Sequence, residues 1–352
     1  HGTEALSMCV RKAVNEMLGS LAEDAGIRRE DVFQVCVVGN TCMHHLFLGI
    51  SPASLVHAPY IPAVSERLVL NAGDYGLAVQ ELIMLSDIAG YVGADTCGCL
   101  LAIRQDQQEE ISLMIDIGTN GEMVLGNRER MVTCSTAAGP AFEGAKIECG
   151  MRGAAGAVDH VKYEDGKWNY TTVGNKPAVG LCGSGLIDLV AGLLDAGMLD
   201  ENGVLRSGQE KQGMFILVPP ERGGNERGVY LTQKDLGEVQ LAKAAIAAGI
   251  QMLMERLGIT EDDICSVYIA GAFGNYMDPV SAGKIGLLPA TLVKKVKPVG
   301  NAAGEGAKIA LVNEKEMLEM DELVRKIEFV ELAASADFQD HFIDELGFET
   351  GE

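Results

Sequence analysis

Asp116 and the loop after it carry the residues best placed for chemistry. An apolar run, residues 111–115, leads into Asp116, turns through Gly118-Thr119-Asn120-Gly121, and resumes as a second apolar run from Glu122. A carboxylate at the end of a buried strand, beside a loop rich in backbone N–H groups and one hydroxyl, can hold a hydrated divalent cation. The same N–H groups can then cradle phosphate oxygens. Asn-Gly between two β-prone runs is also the strongest short-range hairpin signal, because both turn positions accept positive φ. On this segment alone, a tight hairpin whose Asp merely caps the turn stands beside the phosphate-loop reading.

Three further glycine-rich turns follow apolar segments: Gly39-Asn40-Thr41, Gly183-Ser184-Gly185 and Gly271–Gly274. Strand ends that empty into glycine loops are where open α/β sheets place ligands. The most telling pair is DIGTNGE (116–122) with IAGAFGNY (269–276). In the first, Gly118, Thr119, Asn120, Gly121 and Glu122 face phosphates while Asp116 positions Mg²⁺ through water. In the second, Gly271, Ala272, Phe273, Gly274 and Asn275 let the backbone approach a flat base or ribose. The alternative for the second loop is close strand–helix packing. Gly39, Asn40, Thr41, Gly183, Ser184 and Gly185 are further cleft candidates. Glu143 and Arg152 flank a Gly/Ala-rich passage and either reach that cleft or form a partly exposed ion pair of little energetic weight.

The elements that must position these residues follow from periodicity. Residues 3–25 have helical spacing (Leu6, Val10, Ala13, Met17, Leu21), with Thr3 as N-cap. A strand at 35–38 leads to the helix carrying His44 and His45. Residues 52–76 read as irregular and 77–104 as mostly helical. The polar stretch Arg104–Glu110 marks a boundary between domains 1–106 and 107–352. Beyond it come a three-stranded meander and a hairpin over 160–173 turning at Asp165-Gly166. A helix then opens behind Gly183-Ser184-Gly185, and a Gly-rich polar surface segment spans 201–230. Residues 231–258 read as a long helix, with a Thr232/Asp235 capping box and Gly258 as its terminator. A strand at 267–270 and a small-residue helix after Gly300-Asn301 complete the pattern.

Composition narrows the function classes. The 352 residues are 47% hydrophobic and 22% charged, with 43 glycines and few aromatics, as in an α/β protein with glycine-rich ligand loops. A net charge of −22 argues against nucleic acid or an anionic membrane as partner. It also means that a nucleotide needs Mg²⁺, loop N–H groups or helix N-termini. No run is long enough for a membrane span and no signal peptide is seen. Nine cysteines without a CxxC read as reduced thiols of a cytoplasmic protein. The chain opens on His1 inside a helical pattern, so an upstream segment is expected.

The motifs DIGTNGEMVLGN, CSTAAGPAFEGAKIECGMRG, LCGSGLIDL, YIAGAFGNYMDP and VGNTCMHHLFLG together resemble the ATP-dependent reductive activators of corrinoid proteins, over essentially the whole chain. These are members of the actin, sugar-kinase and heat-shock-chaperone ATPase superfamily. The resemblance implies an α/β, ribonuclease-H-like ATPase fold of two subdomains, with mixed sheets flanked by helices and the first subdomain incomplete. It implies ATP and Mg²⁺ as ligands, a corrinoid protein as partner, and a homodimer. The [2Fe–2S] cluster of the family is expected only in an N-terminal domain not included here. The implied activity is reduction of a Co(II) corrinoid to Co(I) in a methyltransferase or O-demethylase system of an anaerobe. This chain would be the nucleotide- and partner-binding part, inactive alone. A DxGTTT-like first phosphate loop is not found before residue 111. His44 and His45 either ligate cobalt axially or pack and contact a neighbouring loop. The alternatives are a small-molecule kinase of the same superfamily, for which no general base is evident, and a non-catalytic docking or dimerisation module.

Overall fold

A computed structural model describes residues 2–206, 213–271, 274–333 and 335–348. The chain groups into two compact units. The first comprises His1–Glu109, Gly126–Thr133 and Asn301–Phe329; the second comprises Glu110–Leu125, Cys134–Gly300 and Val330–Glu352. Both are α/β, with mixed sheets and helices.

The first unit begins with α1 (Gly2–Asp24), β1 (Gln34–Val37) and α2 (Thr41–Leu48). Thr3 lies inside α1 rather than capping it, since helical structure already includes Gly2. The inward face of α1 carries Ser7, Leu18 and Ala22, so the regular stripe Leu6, Val10, Met17 and Leu21 is left exposed. Asn40 caps α2, its Oδ1 accepting from the Met43 amide at 2.9 Å. Two strands emerge where the sequence suggested irregular or helical chain: β2 (Leu68–Asn71) and β3 (Glu81–Met84). A four-residue apolar run such as Leu82–Leu85 has no decisive period of its own, and pairing settles it. β3 pairs in parallel with β1 (Val35↔Leu82) and antiparallel with β2 (Val69↔Ile83). Only α3 (Ala94–Ile103) is an α-helix within 77–104. Leu18, Phe47, Ala72, Leu77, Leu82 and Met84 pack as this unit's core.

The second unit is built on the meander β4 (Ile111–Ile117), β5 (Gly121–Gly126) and β6 (Met131–Thr136). β12 (Ile264–Ala270) and β13 (Val296–Gly300) add to it in parallel, giving the order β13-β12-β4-β5-β6. Leu113, Met114 and Ile115 on β4 are all fully buried, because both faces of this central strand are covered. A smaller sheet, β7 (Ala157–Glu164), β8 (Lys167–Thr172) and β9 (Gly180–Leu181), has the order β8-β7-β9. Against β7 lies α4 (Gly183–Asp195), which begins at Gly183, so Gly183-Ser184-Gly185 form its first turn rather than a loop before it. Part of 201–230 is also strand: β10 (Met214–Val218) pairs with β11 (Val229–Thr232). The long helix α5 (Gln233–Leu257) has the expected Thr232/Asp235 capping box and ends at Gly258, φ 69°.

The two hairpin turns differ in a way the sequence conceals. At Asp165-Gly166 both residues have positive φ (51° and 75°), as a two-residue type I′ turn requires. Asn120 and Gly121 have none. The loop 118–120 instead closes through the Gly118 amide donating to the Asn120 carbonyl at 3.0 Å. Gly121 is required by packing, since a methyl there would lie 2.9 Å from Thr136 Oγ1 and 3.1 Å from Ile246 Cγ1.

Candidate functional site

The hydrogen-bonded register of the central sheet builds the site. Ala270 on β12 stands opposite Asp116 on β4, so the ends of both strands open side by side. Gly271, φ +91°, follows immediately and accepts no side chain: a methyl there would sit 2.8 Å from Asp116 Oδ1. Its amide donates to the Gly300 carbonyl at 3.0 Å, which fixes the turn.

Asp116, Gly118 and Gly271 line one cavity of about 670 Å³, with Gly183 and Ser184 at the start of α4. Glu143 and Arg152 from the Gly/Ala-rich passage line it as well. The Glu143 carboxylate accepts from the Thr119 hydroxyl at 2.8 Å, so its recorded partner is the phosphate-loop candidate rather than Arg152. The Thr119 carbonyl accepts from the Gly139 amide at 2.8 Å, tying the loop to the passage a second time. Asp235, besides capping α5, accepts from the Glu148 amide at 2.9 Å and anchors the passage from below.

Several cavity residues are not among the site candidates the sequence offers, although Phe142, Met151 and Tyr276 lie within its motifs. Asp159 on β7 lines the wall, held by the Thr171 hydroxyl donating to its Oδ1 at 2.6 Å. Phe142, Met151 and Val173 supply apolar surface, and Tyr276 stands at the rim with 64% of its surface exposed. Cys182, the N-cap of α4, provides no side-chain cap, so the first-turn amides of a 13-residue helix are free to meet an anion. No local signal marks Asp159, because what places it is the fold of distant segments.

The remaining predicted residues lie elsewhere. Glu122 is buried on β5 and accepts from the Ser135 hydroxyl at 3.4 Å. Gly185 packs against β7, and Gly274 against Ile269. The Asn275 side chain lies beside Gly300. Ala272 and Phe273 fall outside the described residues. Gly39, Asn40 and Thr41 belong to the first unit, where the Gly39 carbonyl accepts from the Asp95 amide and the Thr41 hydroxyl donates to the Ala89 carbonyl at 2.7 Å.

His44 and His45 of that unit are both buried, and His44 Nε2 has no hydrogen-bond partner. His45 Nδ1 donates to the Thr41 carbonyl at 2.7 Å and its Nε2 accepts from the Ala63 amide at 2.9 Å, which leaves it no nitrogen for cobalt. His44 Nδ1 stands 3.2 Å from Asp87 Oδ1, both side chains almost fully enclosed. Burial pushes the neighbouring Asp95 carboxyl above its usual range. In the second unit, burial likewise raises Asp188 on α4, although Ser281 and His160 oppose the shift by hydrogen bonding.

The cavity lining is mostly acidic in its charged groups. Asp116, Glu143 and Asp159 place three carboxylates on its lining against the single guanidinium of Arg152. A bare polyphosphate would meet net repulsion there; a phosphate carrying a divalent cation would not. Among the described residues no group of three or more His, Cys, Asp or Glu side chains could enclose a metal ion. The donor set therefore fits Mg²⁺ held by one carboxylate through water and by the ligand's own phosphates. It does not fit an iron–sulfur cluster, since no three cysteines are gathered at one place among the described residues. No helix is long and apolar enough to cross a membrane among the described residues.

Known proteins carry the same architecture. The protein from Eubacterium limosum named corrinoid activation enzyme RamQ is 34% identical over 352 residues, covering 95% of this chain and 59% of that protein. The [Co(II) methylated amine-specific corrinoid protein] reductase of Methanosarcina barkeri is 30% identical over 302 residues, covering 79% of this chain and 53% of its own length. The solved structure of a reductive activator for a corrinoid, iron–sulfur protein superposes with a TM-score of 0.89 at 37% identity, over 99% of this chain and 57% of that one. The chain thus spans a little over half the length of the relatives it matches. Family models match residues 110–352 as the C-terminal domain of RACo, the ASKHA domain, and residues 1–108 as the RACo middle region. The chain belongs to this family of reductive activators of corrinoid proteins, and its C-terminal part is their ATPase-like ASKHA domain.

Proposed function

We propose that this chain is the nucleotide- and partner-binding part of an ATP-dependent activator that returns a Co(II) corrinoid protein to Co(I). The observation that carries this reading is the cavity in which Asp116, Gly118, Gly271 and the start of α4 converge. In it, Asp116 holds Mg²⁺ through water, the amides of the 118–120 loop and of the first turn of α4 receive phosphate oxygens, and Arg152 neutralises a further charge. Bound Mg²⁺ supplies charge neutralisation between the carboxylates and the polyphosphate. Gly271 lets the nucleotide approach the backbone, and Phe142, Met151, Val173 and Tyr276 offer apolar surface for its base.

The redox step on the partner is Co(II) plus one electron giving Co(I), with the electron from an iron–sulfur donor outside the described residues. This chain's part is conformational. A ligand that prefers one of two states by about 10⁴-fold contributes roughly 5.5 kcal/mol. At roughly 59 mV per tenfold for one electron, that is about 240 mV of apparent potential. Calorimetric titration of the protein with Mg-ATP is expected to show one-site binding that chelation of Mg²⁺ with EDTA abolishes. Absence of heat with Mg-ATP in both this chain and a full-length relative sinks the nucleotide reading.

The homodimer is proposed on a separate observation, the exposed apolar stripe of α1. Leu6, Val10, Met17 and Leu21 are 39–64% exposed at helical spacing, a seam that two copies can share about a twofold axis. Light scattering is expected to give twice the 37.4 kDa chain mass for the wild type and the monomer mass for Met17→Glu/Leu21→Glu. A monomeric wild type at micromolar concentration contradicts the proposal.

A further inference from the structure

The first unit holds a second cleft, of about 580 Å³, on the other flank of α1 from the apolar stripe. Its walls carry Arg11, Lys12, Asn15, Arg29 and Tyr75, and the carboxylates of Glu16 and Asp74 also line it. The chain has 50 acidic and 28 basic residues, and several of its arginines sit against an acid. Arg67 pairs with Asp321 at 2.7 Å, Arg128 with Glu109 at 3.0 Å, and Arg104 with Glu316. Among the described residues Arg11 and Arg29 have no acidic partner within 4 Å, and they share this cleft.

Both guanidiniums are held in place by neutral groups. Arg11 donates from Nε and Nη2 to the Phe47 carbonyl at 2.8 and 2.6 Å, and lies 4.9 Å from the Tyr75 ring centre. Burial lowers its pKa, the signature of a cation partly stripped of water without a compensating anion. Arg29 donates from Nη2 to Asn15 Oδ1 at 2.6 Å, while its Nε is buried with no acceptor at all. Asn15 is itself clamped, donating to the Gly76 carbonyl at 2.7 Å and accepting from the Ala78 amide at 3.0 Å. A buried charged donor left unsatisfied is costly, and an anion beside the same guanidinium offsets part of that cost.

We propose that this cleft binds a carboxylate, gripped between the Arg11 and Arg29 guanidiniums. Planar forks of N–H donors suit a carboxylate's two oxygens. Glu16 and Asp74 on the same walls disfavour a doubly charged phosphate and favour the singly charged group. Lys12, 3.8 Å from Glu16 at the surface, adds positive charge at the mouth. The carboxylate can come from a small acid or from an acidic segment of a partner protein, and the two are separable by experiment.

The test is calorimetric titration of the whole chain with three probes: succinate, a hexaglutamate peptide and inorganic phosphate. At least one carboxylate probe is expected to bind more tightly than phosphate. Succinate alone identifies a small acid as the ligand, and the peptide alone identifies a partner's acidic segment. Arg29→Gln, which keeps a donor for Asn15, is expected to weaken that binding at least tenfold with an unchanged circular-dichroism melt. Arg29→Lys, which keeps the charge but loses the fork, should recover only part of it. Binding of neither carboxylate, phosphate binding more tightly, or full affinity in Arg29→Gln overturns the proposal.

Discussion

Asp116→Asn is expected to lower Mg-ATP affinity by about 100-fold or more, roughly 2.7 kcal/mol, while leaving the folded state within about 1 kcal/mol of the wild type. The substitution preserves side-chain shape, turns one acceptor oxygen into an NH₂ donor, and removes the charge that would hold hydrated Mg²⁺. Asp116 ends β4 half-buried, at the mouth of the cavity rather than in the core, so stability should barely register its loss. A second readout separates a metal role from a merely structural one. With EDTA present, metal-free ATP should bind the variant no worse than it binds the wild type, because one of three lining carboxylates has been neutralised. Calorimetry with and without Mg²⁺ measures both. Wild-type affinity for Mg-ATP in the variant would remove Asp116 from the site.

Gly185→Ala is expected to destabilise the protein by about 2–3 kcal/mol and to weaken nucleotide binding with it. A methyl at Gly185 would collide with the Val158 carbonyl oxygen and lie 2.9 Å from its carbon, both backbone atoms of β7. Overpacking against backbone costs on the order of 1–3 kcal/mol or more, beyond the gain of up to about 1 kcal/mol that Ala brings to a helix. The helix must move, and Cys182, Gly183 and Ser184, which line the cavity, move with it. The same substitution at Gly237 in α5, where a methyl meets nothing within 4 Å, should instead stabilise by up to about 1 kcal/mol. Chemical denaturation of the two variants tests the contrast in sign. A neutral Gly185→Ala would mean that α4 packs more loosely on β7 than its glycine contact implies.

Much of the fold is legible in the residues, for identifiable reasons. The capping box of α5, its glycine stop, the β4–β5–β6 meander and the Asp165-Gly166 turn are local events, decided by a few neighbouring residues. β3 was hidden because four apolar residues fit a strand and a helix turn equally until β1 and β2 pair with them. Gly121 carries the signature of a positive-φ turn, yet its requirement comes from Thr136 and Ile246, far away in sequence. The α1 stripe shows the converse, since a regular apolar period marks a helix without saying which face is inward. At the cavity, strand ends and glycine loops announce themselves. Asp159, Met151 and Tyr276 reach it only because β7, the passage after β6 and the turn after β12 fold towards one another.

The walls of that cavity come from β4, the 142–153 passage, β7, the turn at Val173-Gly174, the start of α4 and the turn after β12, stretches spread over about half the chain. No contiguous fragment shorter than residues 116–276 contains them all. A ligand held there is consequently a sensor of whole-domain integrity: it recognises only molecules in which all six segments have assembled. At 100 times its dissociation constant it would deepen the native well by about 2.7 kcal/mol. Cellular nucleotide would then act as a folding quality check, sparing assembled copies from proteolysis and leaving the partly assembled ones to be cleared.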